Sequence, residues 1–121
     1  MAHWAWSELL SDWFADTLDT PLAITNRLDW WFKADSERDT KLSDKYDRLV
    51  EQCASGHLHD WLSKPEGRLA LIIALDQLPR NLFRGTPRAF AYDAQTPAWC
   101  LAAVNTGQDQ LLKPIQRVFM Y

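Results

Sequence analysis

The sequence predicts an all-α protein in which neighbouring antiparallel helices are joined by short connections. Apolar residues recur every three or four positions along most of the chain, as they do on one face of a helix. Prolines stand where these periodic segments begin, a position that proline tolerates because the first amides of a helix have no partner within it. The sequence contains no alternating strand pattern, Asn-Gly turn or glycine-rich loop. With 121 residues, we expect one all-helical domain over residues 1–121.

Two helices are predicted near the N-terminus. Apolar residues at positions 6, 9, 10, 13 and 14 share one face of the first helix, and Asp12 and Asp16 lie on the other side. Thr20-Pro21 predicts the start of the second helix, because threonine can cap free amides and proline is preformed for the first turn. The apolar residues of this second helix keep helical spacing: they are Ile24, Leu28, Trp31 and Phe32.

A third helix is predicted to begin near Asp35 or Ser36 and to end before Gly56, which would supply a left-handed terminator. The charged residues between its apolar positions are expected to form a solvated face. The apolar positions form one stripe: Leu42, Tyr46, Leu49, Val50 and Cys53.

The central helix is predicted from Gly67 to about Leu78. Ser63 and Glu66 have the spacing of a capping box, in which each side chain bonds to the other's backbone amide. Residues 69–75 are apolar on every side of a helix, so we expect other helices to surround this segment.

Shorter helical segments are predicted in the last third of the chain. Gly107 is expected to end one of them, as a left-handed terminator. The predicted segments run from Thr86-Pro87 through Tyr92, from Asp93 or Thr96 through Val104, and from Lys113-Pro114 to the last residue.

Composition and charge limit the class of partner. The net charge of −3 repels phosphate backbones, so we expect no nucleic-acid partner. The N-terminus lacks the pattern of a signal peptide, and the longest apolar run, Leu69–Leu75, is too short to span a bilayer. We therefore expect no membrane partner and a cytoplasmic location. Cys53 and Cys100 lie in apolar helical contexts and are predicted to be free thiols.

The segment from Asp76 to Asp93 concentrates chemistry that a helical core does not require. It contains three arginines, two aspartates, one asparagine and two helix-breaking prolines. Each guanidinium offers five donors in a rigid fork that suits a carboxylate or a phosphate. A ligand site or an ionic network is therefore predicted here.

The same segment carries a resemblance to a known family. The elements Asp-Gln-x-Pro-Arg-Asn at residues 76–81, Arg-Gly-Thr at 84–86 and Ala-Phe-x-x-Asp at 89–93 occur in order. Trp30-Trp31-Phe32, residues 56–61 and residues 117–121 add further landmarks. On these motifs the chain resembles a bacterial family named domain of unknown function 924. The resemblance implies antiparallel helix pairs in a tetratricopeptide-like helical array, and it implies no particular activity.

The resemblance also carries an expectation about length. Members of this family usually continue beyond the position of Tyr121 with a His-Ser-Glu element and a later segment that contains histidine and arginine. We expect this chain to hold the N-terminal part of the usual length, either as a piece of a longer member or as a naturally shortened one. Its short last helix would then expose apolar residues, so we expect self-association through the C-terminal region.

Three hypotheses describe the arginine-rich segment. In the first, a small anionic ligand binds at a concave corner of the segment. In the second, the chain is a structural or protein-interaction module, and Asp76 and Asp93 hold two of the arginines in internal salt bridges. In the third, an enzyme uses Asp76 or Asp93 as a base on a small acidic metabolite. The candidate ligand-binding residues are Arg80, Arg84, Arg88, Asp76, Gln77, Asn81 and Asp93.

Other site chemistry receives little support from the sequence. The cluster Cys53, His57, His59 and Asp60 is divided by Gly56, and no second cluster would complete a metal site. No serine has a nucleophile-elbow pattern, so the catalytic residues of any enzyme are unknown. We expect no metal and no cofactor. Asn81 is expected to bond to a carbonyl that Pro79 leaves without its amide partner.

Overall fold

The computed structural model describes residues 4–121, and the first three residues of the predicted domain lie outside this range. Helices and short turns make up the described chain, which contains no strand, so the all-α prediction is confirmed. The tetratricopeptide-like arrangement of helix pairs stays a prediction. No helix in residues 4–121 has both the length and the apolar character needed to cross a membrane.

Seven α-helices are found in residues 4–121, with one π-helical segment within the central rod. Short 3₁₀ turns connect several of them. The α-helices are α1 (Trp6–Phe14), α2 (Pro21–Phe32), α3 (Ser36–Ala54), α4 (Pro65–Ile72), α5 (Leu78–Leu82), α6 (Thr96–Thr106) and α7 (Pro114–Met120). The 3₁₀ turns span His59–Ser63, Pro87–Phe90, Asp93–Gln95 and Gln108–Leu111.

The first two helices begin and pack largely as their sequences predict. The hydroxyl of Thr20 accepts a hydrogen bond from the amide of Ala23 at 3.2 Å, so it caps α2. Within α2, however, the predicted apolar face is only partly covered. Trp31 is buried, whereas Leu28 is 44% exposed and Phe32 is 63% exposed. Helical spacing therefore located α2 correctly, and only part of its apolar face enters the core.

Helix α3 follows the predicted stripe, with one charged residue in an unexpected place. Asp35 caps the helix by accepting from the amides of Glu37 and Arg38. All five predicted stripe residues are buried. Arg38, one turn before the predicted stripe, is buried as well. Its guanidinium donates to the carbonyl oxygens of Trp30 and Lys33, so backbone acceptors at the end of α2 satisfy the buried charge.

The centre of the fold is a continuous helical rod formed by α4, the π-helical segment Ile73–Gln77 and α5. Helices α1, α3, α6 and α7 pack around it. Residues 69–75 are all buried, which confirms that other helices surround this segment. In the π segment the amide of Leu78 donates to the carbonyl of Ile73, five residues earlier. The wide turn directly precedes Pro79, whose ring would collide with the carbonyl four residues earlier in a regular α-helix.

The predicted capping box at the start of the rod is absent. Pro65 is the first helical residue, so Lys64 and not Ser63 occupies the cap position. The Ser63 hydroxyl instead donates to the carbonyl of Asp60 at 2.9 Å and closes the preceding 3₁₀ turn. The prediction is wrong because Ser63 stands one residue too early to reach the free amides of α4.

An aromatic cluster joins the two ends of the described chain. Phe119 of α7 lies 5.0 Å from Trp31, 5.5 Å from Trp13 and 5.6 Å from Phe14, measured between ring centroids. These pairs meet edge to face, the arrangement that aromatic quadrupoles favour. Nε1 of Trp31 also donates to the carbonyl of Trp13 at 2.9 Å. Helices α1, α2 and α7 therefore share one core, and the predicted last helix is anchored by its own chain at Phe119.

Candidate functional site

The three arginines of the 76–93 segment each contact a different acid. Arg80 pairs with Asp76 at 3.0 Å, and Arg84 pairs with Asp39 at 2.9 Å. Arg88 pairs with Glu51. Asp39 and Glu51 both belong to α3, which the sequence did not connect with this segment. The arginines are therefore distributed along two contacts with α3 and one contact within the rod.

Arg84 joins the end of the rod to α3 through two side chains. Its Nε donates to Oδ2 of Asp39, and its Nη2 donates to Oδ1 of Asn81 at 3.1 Å. Oδ1 of the same Asp39 accepts from Arg38 at 3.0 Å. Asn81 is buried and bonds to Arg84. The expected bond from Asn81 to a backbone carbonyl, which its Nδ2 would donate, is not found; the side-chain bond present is the one that Oδ1 accepts from Arg84.

Arg88 forms a second contact with α3 at the surface. Nε of Arg88 donates to the Tyr92 hydroxyl at 2.8 Å, and that hydroxyl donates to Oε1 of Glu51 at 2.7 Å. The guanidinium carbon of Arg88 also lies 4.0 Å from the ring centroid of Phe83. The hydrogen bond from Tyr92, together with that from Arg88, lowers the pKa of Glu51. This cluster fixes the turn that leads from the rod towards α6.

Arg80 and Asp76 face a different part of the molecule. They stand four residues apart, across the boundary between the π segment and α5, and Nη2 of Arg80 donates to Oδ1 of Asp76. Gln77 donates to the other carboxylate oxygen, Oδ2, at 3.1 Å. Both oxygens of Asp76 therefore have donors, whereas Arg80 uses one of its five N–H groups on this carboxylate.

An open groove of about 710 Å³ lies between the rod and α6. Three predicted site residues line it: Asp76, Arg80 and Asp93. We call it the α6 groove. Its other lining residues are Ile72, Ala94, Thr96, Pro97, Cys100, Leu101, Val104, Met120 and Tyr121.

The four remaining predicted residues lie outside the lining of the α6 groove. Gln77 donates a hydrogen bond to the Asp76 carboxylate. Asn81 and Arg84 belong to the contact with Asp39, and Arg88 belongs to the contact with Glu51. The sequence prediction therefore combined three residues of the groove lining with residues of the 76–93 segment that form structural contacts with α3.

The polar groups of the groove differ in how they are satisfied. Asp93 forms no ion pair with any other residue in the described range. The hydroxyl of Thr96 donates to the backbone carbonyl of Asp93 at 2.9 Å and holds that turn in place. The Tyr121 hydroxyl donates to Asp109 at 2.6 Å, which orients its ring at the groove. Burial, with a smaller effect of Asp109, raises the pKa of the Cys100 thiol and keeps it protonated.

No motif in the sequence singles out the α6 wall of the groove. Pro97, Cys100, Leu101 and Val104 stand at i, i+3, i+4 and i+7 and so lie on one helical face. Such a face is ordinarily buried, yet Leu101 is 60% exposed. The spacing of these four residues predicts a shared helical face, but it does not show whether that face lines a groove or packs in the core.

Both cysteines are unpaired, and the described residues form no metal-ligand cluster. Cys53 and Cys100 are free thiols, and burial raises the pKa of Cys53 to about 12. Residues 4–121 contain no group of three or more histidine, cysteine, aspartate or glutamate side chains arranged to hold a metal ion.

The fold and the groove define an all-α protein with an open cleft of small-molecule size between its central rod and a neighbouring helix. The chain belongs to the family described as "Bacterial protein of unknown function (DUF924)", whose model matches residues 9–121. The family resemblance carried by the 76–93 motifs is thereby confirmed.

A solved structure of a related protein gives the same result at the level of the fold. A protein of unknown function from Agrobacterium tumefaciens superposes with a TM-score of 0.79 and is 30% identical in sequence. The match covers 96% of this chain and 60% of that protein's chain. Among curated proteins, none matches this chain significantly.

Proposed function

We propose that the protein binds a small molecule that carries a carboxylate or phosphate group, with the α6 groove as the binding site and Arg80 as the anion anchor. The observation that carries this proposal is the convergence of Arg80, Asp76 and Asp93 on one groove. In this proposal Arg84 and Arg88 hold the rod against α3 and do not touch the ligand.

Arg80 has the properties of an anchor that remains available. Its side chain is 46% exposed, and its ion pair occupies one oxygen of Asp76. A guanidinium that is fixed by one carboxylate keeps further N–H groups for a second acceptor. The ring centroid of Phe90 lies 5.4 Å from the Arg80 guanidinium carbon, and this contact further limits the motion of the side chain.

The remaining surface of the groove suits the uncharged part of a small molecule. Ile72, Leu101, Val104 and Met120 supply apolar atoms beside the charged groups. Ligand sites typically combine such an apolar lining with a few convergent polar groups. The π segment that carries Asp76 adds support, because single π turns within α-helices occur frequently at functional sites.

The test is titration of the purified protein with inorganic phosphate and, separately, with 4-methylpentanoate. NMR chemical shifts of the protein are the readout. We expect saturable shifts of groove residues and loss of saturation in Arg80→Ala. Arg48→Ala is the matched control, because Arg48 is exposed on α3 and lies outside the groove lining. Equal responses of the two variants, or the absence of any saturable response, would overturn the proposal.

We also propose self-association through the surface formed by α6 and α7. Four apolar side chains support it by their exposure: Leu101, Val104, Val118 and Tyr121. Three of them also line the α6 groove, so a second copy and the ligand would compete for Leu101, Val104 and Tyr121. Large apolar side chains exposed next to one another favour contact with a second copy of the same surface. The measurement that checks this proposal is described in the Discussion.

A further inference from the structure

We infer that the ligand of the α6 groove is zwitterionic: its anionic group binds Arg80 and a cationic amino group binds Asp93. The inference rests on the proposed function and adds the second anchor and the class of ligand. The class is an amino acid with an aliphatic side chain or backbone.

The charges that line the groove favour a ligand with both signs. Two carboxylates, Asp76 and Asp93, share the lining with one guanidinium, Arg80. Asp76 is neutralised by Arg80 and also accepts from Gln77, so its two oxygens are occupied. Asp93 is the carboxylate that remains without an ion pair among the described residues.

A ligand that carried only negative charge would therefore meet an uncompensated carboxylate. Like charges that face each other across a few ångströms repel, and the repulsion is larger where part of the solvent is displaced. A cationic amino group converts the same carboxylate into a partner, through a charge-assisted hydrogen bond. Asp93 is held for this role by the Thr96 hydroxyl, which binds its backbone carbonyl and leaves the carboxylate oxygens free.

The apolar wall narrows the class further. Leu101 and Val104 are one turn apart on α6 and expose aliphatic groups at the groove. An aliphatic portion of the ligand would remove these groups from water, a gain that scales with the apolar area covered. A zwitterion with an aliphatic portion combines an anionic group for Arg80, a cationic group for Asp93 and an apolar group for the α6 wall.

Two matched series of probes test the inference. The first comprises leucine, its deaminated analogue 4-methylpentanoate and its decarboxylated analogue 3-methylbutylamine. The second comprises 6-aminohexanoate, hexanoate and hexylamine, which place the two charges farther apart. We expect at least one zwitterion to bind about tenfold more tightly than both of its singly charged analogues, the gain typical of one charge-assisted hydrogen bond.

The variant Asp93→Asn separates the second anchor from the first. It should weaken binding of the preferred zwitterion about tenfold and strengthen binding of the matching carboxylate, because the repelling charge is gone. The control Asp29→Asn removes the same charge from an exposed position on α2, outside the groove lining, and should change neither affinity.

The outcomes distinguish this inference from the proposed function. If a carboxylate binds as tightly as its zwitterion, and both depend on Arg80, the inference is overturned while the anion site stands. If Asp93→Asn weakens the zwitterion and its carboxylate equally, the inference is likewise overturned. If no probe binds in a manner that depends on Arg80, both proposals fail.

Discussion

Nε of Arg84 lies 2.9 Å from Oδ2 of Asp39, although 45 residues of chain separate them. This contact ties the end of the central rod to α3. Asp39 also accepts a hydrogen bond from Arg38, so one carboxylate binds both arginines. The two arginines that bind Asp39 differ in burial, with 45% of the Arg84 side chain exposed and 4% of the Arg38 side chain exposed. Their energetic roles should differ accordingly.

Replacing Arg84 with alanine should lower the free energy of unfolding by about 1–2 kcal/mol, because the pair is half solvated and Asp39 keeps Arg38 as a partner, while buried Asn81 loses the donor to its Oδ1. Replacing Arg38 with alanine should cost about 3 kcal/mol, because the partly buried carbonyls of Trp30 and Lys33 lose their donor. Urea unfolding of both variants measures the difference. The exposed Arg48→Ala serves as the control, and equal losses for Arg84 and Arg38 would contradict the assignment.

Replacing Gly67 with alanine should destabilise the fold by about 1–3 kcal/mol, despite the better helix propensity of alanine. A Cβ atom at Gly67 would lie 2.3 Å from the carbonyl oxygen of Trp61, which is backbone and cannot rotate away. Thermal unfolding of Gly67→Ala compared with Glu66→Ala, one residue earlier in the same turn, tests this contact. An unchanged melting temperature for Gly67→Ala would show that the 3₁₀ turn before α4 shifts at no cost.

The contact between α1 and α3 should weaken in acid. Burial opposes ionisation of Asp12, but hydrogen bonds from Lys45 and Tyr46 outweigh it and lower the pKa of Asp12 below its ordinary value of 3.8. Because the pKa is lower in the folded protein, the contribution is present above 3.8 and is lost as pH falls through the folded value.

The measurement compares wild type with Asp12→Asn by urea unfolding between about pH 6 and about pH 3, a range that spans the titration of an aspartate. The stability difference between them should shrink as the solution becomes more acidic. A difference that stays constant over this range would show that the charge of Asp12 does not contribute.

Self-association through α6 and α7 should raise the molar mass in solution. Light scattering at micromolar protein should give a dimer that Val118→Glu converts to a monomer, since a charge at that exposed position opposes apolar contact. Val118 does not line the α6 groove, so the variant leaves the proposed ligand site intact. Leu22→Glu on α2 is the matched control, and a wild-type monomer at every concentration tested would refute the proposal.

Local signals in the sequence located the helices well. Thr20, Asp35 and Gly107 act where their side chains or backbone preferences predict, because a cap depends on residues within one turn. The capping box predicted at Ser63 was wrong for an equally local reason. Pro65 fixed the start of α4, which left Ser63 one residue out of register with the amides it was expected to cap.

The candidate site was predictable only where its contacts are local. Arg80 and Asp76 are four residues apart, a spacing at which side chains on a helix can meet. The partners of Arg84 and Arg88 lie 45 and 37 residues earlier in the chain, and nothing in a single sequence states that α3 packs against this segment. The three arginines therefore looked like one cluster in the sequence, while tertiary packing separates them.

The π turn in the central rod sets the direction in which Arg80 points. A regular α-helix rotates about 100° per residue, and a π turn accommodates one additional residue within the same length. A helical wheel drawn through residues 65–82 as one regular helix therefore assigns everything after Gln77 to a face about 100° away from the true one. Straightening the rod without removing a residue would swing Arg80 away from the α6 groove. A version shortened by one residue inside 73–77 would keep Arg80 on the groove side. The π turn therefore determines which face of the rod carries the proposed anion anchor.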